Sequence, residues 1–185
     1  MPQSKLRSVF RKYKIDNFPF PLFYCLPYAL RFEIGNEVEG AAALARAEEI
    51  FAACFDKNEE MLVVFECPVA DKVEQSVAGF ENEVVTLEKY DSETGDLSTY
   101  DRRIYNCFCY QVPHTVLLDA ILKHPEQYGS SIYFVSVENG KMMMLYDGRG
   151  CDVSAPNSLL LAPIYKDKKH LLSVIDLPQM KLNYE

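Results

Sequence analysis

The chain has 185 residues, 49% hydrophobic and 25% charged, enough apolar material for a core and too much for a disordered segment. Its formal net charge is -8, unevenly spread: Lys5, Arg7, Arg11, Lys12 and Lys14 crowd residues 1–14, leaving 14 basic against 27 acidic residues in 15–185, a balance of -13. An acidic body repels phosphate backbones, which argues against nucleic acid as a partner and favours a basic protein.

Six cysteines, at 25, 54, 67, 107, 109 and 151, sit mostly in apolar runs, and no signal-peptide pattern precedes them. They read as free thiols of a cytoplasmic protein. No apolar run is long enough to span a bilayer.

The spacing of Leu6, Val9, Phe10 and Tyr13 predicts a helix over Ser4–Lys14 with one apolar face and a basic remainder. Such a helix either docks on its own acidic domain or anchors the chain to a partner or lipid surface. Asn17 to Tyr24 carries Pro19 and Pro21 among aromatics and reads as an extended segment over the core. Tyr28 to Ile34 alternates as a strand, with Leu30, Phe32 and Ile34 on one face and Arg31 and Glu33 on the other.

Ala41–Phe55 is the strongest helix, burying Ala43, Ala47, Ile50, Phe51, Cys54 and Phe55. Met61–Phe65 is a continuous apolar run, the pattern of a central strand. Glu83–Tyr90 and Arg102–Val112 are two more strands, with the polar loop 91–96 able to close them as a hairpin. Pro113 starts a helix to about His124.

Ile132–Val137 and Met142–Tyr146 flank Glu138-Asn139-Gly140-Lys141. Asn-Gly predicts a two-residue type I′ turn, which would pair Val137 with Met142 and Tyr133 with Tyr146. Short helices are expected over Ser158–Leu177. No repeat or Gly/Ser linker interrupts the chain. The expected architecture is therefore a single α+β domain over 1–185, with a basic helix in 1–14, a largely antiparallel sheet and helices packed on it.

Chemistry concentrates in Tyr146-Asp147-Gly148-Arg149-Gly150-Cys151-Asp152, at the end of the second hairpin strand. Arg31, Glu33, Asp147, Arg149 and Asp152 form the candidate binding cluster. In its structural version, Arg149 bridges Asp147 or Asp152. A catalytic alternative is a small hydrolase, using Cys151 with one of His114, His124 or His170, or using Asp147 and Asp152 as a carboxylate pair. No complete catalytic set is present. Without a CxxC or HxxxH pair, Cys107 and Cys109 on one strand face do not make a metal site, and no cofactor motif occurs.

Leu30-Arg31-Phe32-Glu33-Ile34-Gly35, the Ala/Glu-rich helix ending at Ile50-Phe51, and Leu145-Tyr146-Asp147-Gly148-Arg149-Gly150-Cys151-Asp152-Val153 resemble the bacterial family called domain of unknown function 3885. The family's motifs run close to LRFELG and LYDDRGMD, so Gly148 and Cys151 stand where it has Asp and Met. The resemblance spans about residues 15–175. It implies a class of protein and no activity, and it implies that a thiol at 151 is not a family feature. The functional expectation is a non-catalytic protein-binding domain, with an immunity protein neutralising a basic toxin as its concrete form.

Overall fold

A computed structural model describes residues 1–35, 40–66, 75–90, 97–123, 132–147 and 149–185. The side chains of 89, 90, 98, 146 and 147 lie outside the described ones. The helices are α1 (Pro2–Tyr13), α2 (Leu22–Cys25), α3 (Ala41–Cys54), α4 (His114–Lys123), α5 (Ala162–Asp167) and α6 (Leu177–Tyr184). The strands are β1 (Ala29–Glu33), β2 (Glu60–Phe65), β3 (Glu81–Tyr90), β4 (Leu97–Phe108), β5 (Ile132–Ser136), β6 (Met142–Asp147) and β7 (Gly150–Ser154). They form one sheet in the order β1-β7-β6-β5-β2-β4-β3, every pair antiparallel. The α+β architecture is thus as expected.

Both faces of the centre of this sheet are covered, while β3 at its edge stays largely exposed. On one, α3 and α4 bury Ile50, Phe51, Leu117, Leu118 and Ile121 against Met61, Val63, Phe134, Met143 and Cys151. On the other, α1 and the following segment bury Leu6, Val9, Phe10 and Phe18 against Leu62, Val64, Tyr133, Met142 and Met144. Two covered faces explain why β2, β5 and β6 are apolar without alternation. β2 lies between β5 and β4, an interior position consistent with its composition.

The basic helix docks on its own domain. Its apolar stripe is buried, and Lys5 pairs with Glu60 at 2.5 Å. Lys12 donates to the carbonyls of Val137 and Glu138, and the Tyr13 hydroxyl donates to that of Gly140 at 2.9 Å. Beneath it, Phe18 stacks on Tyr133, and the guanidinium of Arg102 lies over the rings of Phe10 and Phe18 while pairing with Glu66 and Asn17. Opposite charges and apolar burial act together here, so the anchoring reading is unnecessary for the helix to be ordered.

Three local expectations need correction. The proline-rich segment is not extended throughout: after the cis peptide bond Phe20–Pro21 the chain makes the short helix α2, with Pro21 as its N-cap. The Asn-Gly turn is longer than predicted. Val135 pairs with Met142 and Tyr133 with Met144, while the Ser136 amide donates to the Lys141 carbonyl. A type I′ turn needs positive φ at both central residues, but here Gly140 has φ +82° and Asn139 does not share it. The Asn139 side chain is instead engaged by the Lys141 amide and by Glu59. The slip is two residues, so every side chain keeps its face and the core assignment stands. Third, β4 ends at Phe108, and Cys109 belongs to a 3-10 turn, Cys109–Gln111, so Cys107 and Cys109 do not share a strand. The predicted loop 91–96 and His124 lie outside the described residues.

If α1 is a core element, Leu6→Ala will cost about 2–5 kcal/mol of unfolding free energy, whereas Arg7→Ala on the exposed side will change it by less than about 0.5 kcal/mol. Urea denaturation of the two variants checks this; equal, small effects would make the helix an appendage.

Candidate functional site

β1 is an edge strand paired with β7, and the register sets Arg31 directly opposite Asp152. Both project to the α2 side, away from the core face that takes Phe32 and Cys151. Asp152 has no exposed surface. Arg31 answers it with two hydrogen bonds, Nε to Oδ1 at 2.8 Å and Nη2 to Oδ2 at 3.1 Å. The Phe23 amide of α2 donates to Oδ2 at 2.9 Å. Burial pushes the Asp152 carboxyl above its ordinary range, and Arg31 and that amide pull it back part of the way.

Around this pair the chain closes a small site. The Arg31 guanidinium lies 4.5 Å from the Tyr24 ring centroid and 5.1 Å from that of Phe23. Its Nη1 is 3.8 Å from Asp176, which also accepts hydrogen bonds from the Tyr24 hydroxyl at 3.0 Å and from Ser173 Oγ at 3.1 Å. Glu33 accepts from the Val174 amide at 3.3 Å. The Arg149 carbonyl receives the amides of Ile34 at 2.7 Å and Gly35 at 3.1 Å, tying the β6–β7 turn to the end of β1. The result is a surface pocket of about 240 Å³ lined by Tyr24, Arg31, Glu33, Arg149, Ser173, Ile175 and Asp176.

Arg31, Glu33 and Arg149 therefore come together in one pocket, with Asp152 buried against Arg31. Asp147 closes β6 opposite Gly150, beside a register irregularity, and its side chain lies outside the described ones. Of the two carboxylates expected to meet Arg149, Asp152 is held instead by Arg31 and the Phe23 amide, and the Asp147 side chain lies outside the described ones. The reason is register, because Arg31 and Asp152 are cross-strand partners while Arg149 sits in the turn before β7. Cys151 is also corrected. It is a strand residue buried in the core, with its thiol pushed well above its usual range by burial, which does not suit the nucleophile of the hydrolase alternative. Sequence reading missed Tyr24, Ser173, Ile175 and Asp176.

A family model described as Domain of unknown function (DUF3885) matches residues 3–176. The chain belongs to this family. A search of curated proteins and one of solved structures each gave no significant match. The matched region of this DUF3885 chain includes every residue lining the pocket and ends immediately before α6.

A second buried carboxylate, Glu59, lies away from this site, just ahead of β2. It accepts from Ser136 Oγ at 2.9 Å, Asn139 Nδ2 at 3.1 Å and the Asp56 amide at 3.1 Å. Burial raises its carboxyl above the ordinary 4.5 despite these bonds and the nearby Lys141. Among the described residues, no group of three or more His, Cys, Asp or Glu is placed to hold a metal ion.

Two outcomes follow from these carboxylates. Removing one member of the buried pair, by Asp152→Asn or Arg31→Met, will cost about 3 kcal/mol, and the double variant will cost clearly less than the sum; strict additivity in chemical denaturation would break the pair. For Glu59 the native state holds the proton more tightly than the unfolded chain. Its contribution is therefore fullest below pH 4.5 and is lost as pH rises from there through the raised value. Comparing unfolding of the parent and Glu59→Gln across that window will show a smaller loss in the variant.

Proposed function

We propose that this chain is a non-catalytic protein-binding domain whose binding face is the β1–β7 edge with α2 and residues 173–176. The observation that carries the reading is the pocket's setting. Arg31, Glu33, Arg149 and Asp176 lie among exposed apolar side chains, with Tyr24 59%, Val174 74% and Ile175 83% exposed. Aromatic and Arg side chains ringed by apolar surface are the usual composition of a protein-binding hot spot. The polar groups of Tyr24, Ser173 and Asp176 are occupied with one another, which suits a rigid recognition surface better than a reacting site.

The partner is a basic protein. Residues 15–185 carry a balance of -13, and Glu33 and Asp176 stand in the pocket wall. Such a field accelerates encounter with a cationic surface. Neutralisation of a basic toxin, as an immunity protein in a bacterial cytoplasm, is the concrete form of this reading. The five described cysteines, all free thiols and four of them buried, support a reducing compartment. Among the described residues, no helix is long and apolar enough to cross a membrane.

The test is affinity capture from the native host with the full chain as bait, beside Tyr24→Ala and Ile175→Lys. A basic protein retained by the parent and depleted at least about tenfold by both variants is expected, since hot-spot substitutions typically cost about 2 kcal/mol or more. Equal retention by the variants, or no retained protein, would overturn the assignment of this face.

A further inference from the structure

The Asn139–Gly140 pair does more than turn the chain. In an Asn-Gly dipeptide the glycine amide nitrogen reaches the asparagine side-chain carbonyl with no Cβ in the way. In this fold every group that the reaction needs is held. The Gly140 amide donates to the Ser136 carbonyl at 3.1 Å. Asn139 Nδ2 donates to Glu59 Oε2 at 3.1 Å, and Asn139 Oδ1 accepts from the Lys141 amide at 2.9 Å. Gly140 is buried, with Pro156 and Lys12 carbons 3.0 and 3.1 Å from where a Cβ would stand. Neither the nitrogen nor the side-chain amide is free to approach the other until the turn opens.

We infer that Asn139 is a deamidation site gated by the fold, and that its conversion loosens the docking of α1. The reaction consumes one water and releases one ammonia, with no change of oxidation state. The Gly140 nitrogen gives up its proton to solvent and bonds to Asn139 Cγ. The bond from Cγ to Nδ2 breaks, and ammonia leaves with a proton from solvent. The resulting five-membered imide is opened by water at either carbonyl, giving aspartate or isoaspartate.

Either product removes the N–H that Glu59 accepts, and aspartate sets a second carboxylate against the first. The surroundings are poorly able to absorb it. Lys141 is the nearby cation, Asp56 adds a like charge, and Cys54 and Cys109 contribute thiols near Glu59. Two carboxylates at hydrogen-bonding distance repel when both are ionised. The turn that must accommodate them is also the seat of α1, because the carbonyls of Val137, Glu138 and Gly140 receive Lys12 and Tyr13. An isoaspartate adds a main-chain carbon there and shifts those carbonyls.

The full chain incubated at neutral pH, native and in denaturant, tests the gate by peptide mass mapping with isoaspartate detection. Conversion at Asn139 at least about tenfold slower in the native chain is expected, since reaction then requires local opening. Equal rates, or no conversion in denaturant, would overturn the gate. The coupling is tested by Asn139→Asp, expected to unfold at lower denaturant and to expose α1 to proteolysis, with Glu59→Gln restoring much of the loss. An Asn139→Asp chain as stable as the parent, or unaffected by Glu59→Gln, would overturn the coupling. Should Asn139→Asp fail to fold, recovery of folding in the double variant reads the same coupling.

Discussion

A carboxylate with no exposed surface must be answered within the fold, and the answer given to Asp152 organises one end of this molecule. Its oxygens take two bonds from Arg31 of β1 and one from the Phe23 amide of α2. β7 thus meets the consecutive elements α2 and β1, far from it in sequence, at one charge. Losing any one of them leaves a buried ion under-satisfied, which costs more than the pair itself contributes. The pair is therefore a specificity device: it fixes the β1–β7 register and the seat of α2, and it aims the Arg31 guanidinium at Tyr24 and Asp176.

The central strands β2, β5 and β6 are apolar because they have no face to give to water. α3 and α4 cover one side, and α1 with Phe18 covers the other. Among the described residues, the charged side chains buried inside are each paired. Asp152 is one case. Glu59 with Ser136 and Asn139 is a second, and Arg102 with Glu66 and Asn17 a third. Each joins a strand to something outside its own hairpin, so each selects one arrangement of layers over alternatives that apolar contacts alone would tolerate.

What was readable in the sequence follows from how local each signal is. The 3.6 period of α1, α3 and α4 and the alternation of β1 depend on burial of one face, so they survive translation into structure with ends moved by a residue or two. The Asn139–Gly140 turn carried a local signal that lost to a tertiary one: Glu59 captures the Asn139 side chain, and the register slips by two. Arg31, Glu33 and Arg149 were legible as a cluster because motif residues of opposite charge sit on or beside adjacent strands. Tyr24, Ser173 and Asp176 were not, since nothing in a single sequence says that a helix of four residues and a tail more than a hundred residues away will share a pocket. Cys151 misled for a similar reason. Glycines around it suggested an exposed turn, but Gly150 already pairs as a strand residue opposite Glu33 and Asp147.

The outer edge of β1 bears on how a partner engages this end of the sheet. An open edge invites pairing by another strand. Here the Arg31 carbonyl accepts the Ser173 amide, Phe32 bridges Leu172, and the Arg31 amide donates to Met180 of α6. Main-chain groups at the centre of the edge are thus occupied by the chain's own tail. A partner arriving here meets side chains, not an unpaired ladder. The tail that blocks strand addition also presents Val174 and Ile175 outward beside Tyr24. Recognition through these groups depends on shape and charge, which is the form of binding that a rigid, already hydrogen-bonded surface supports.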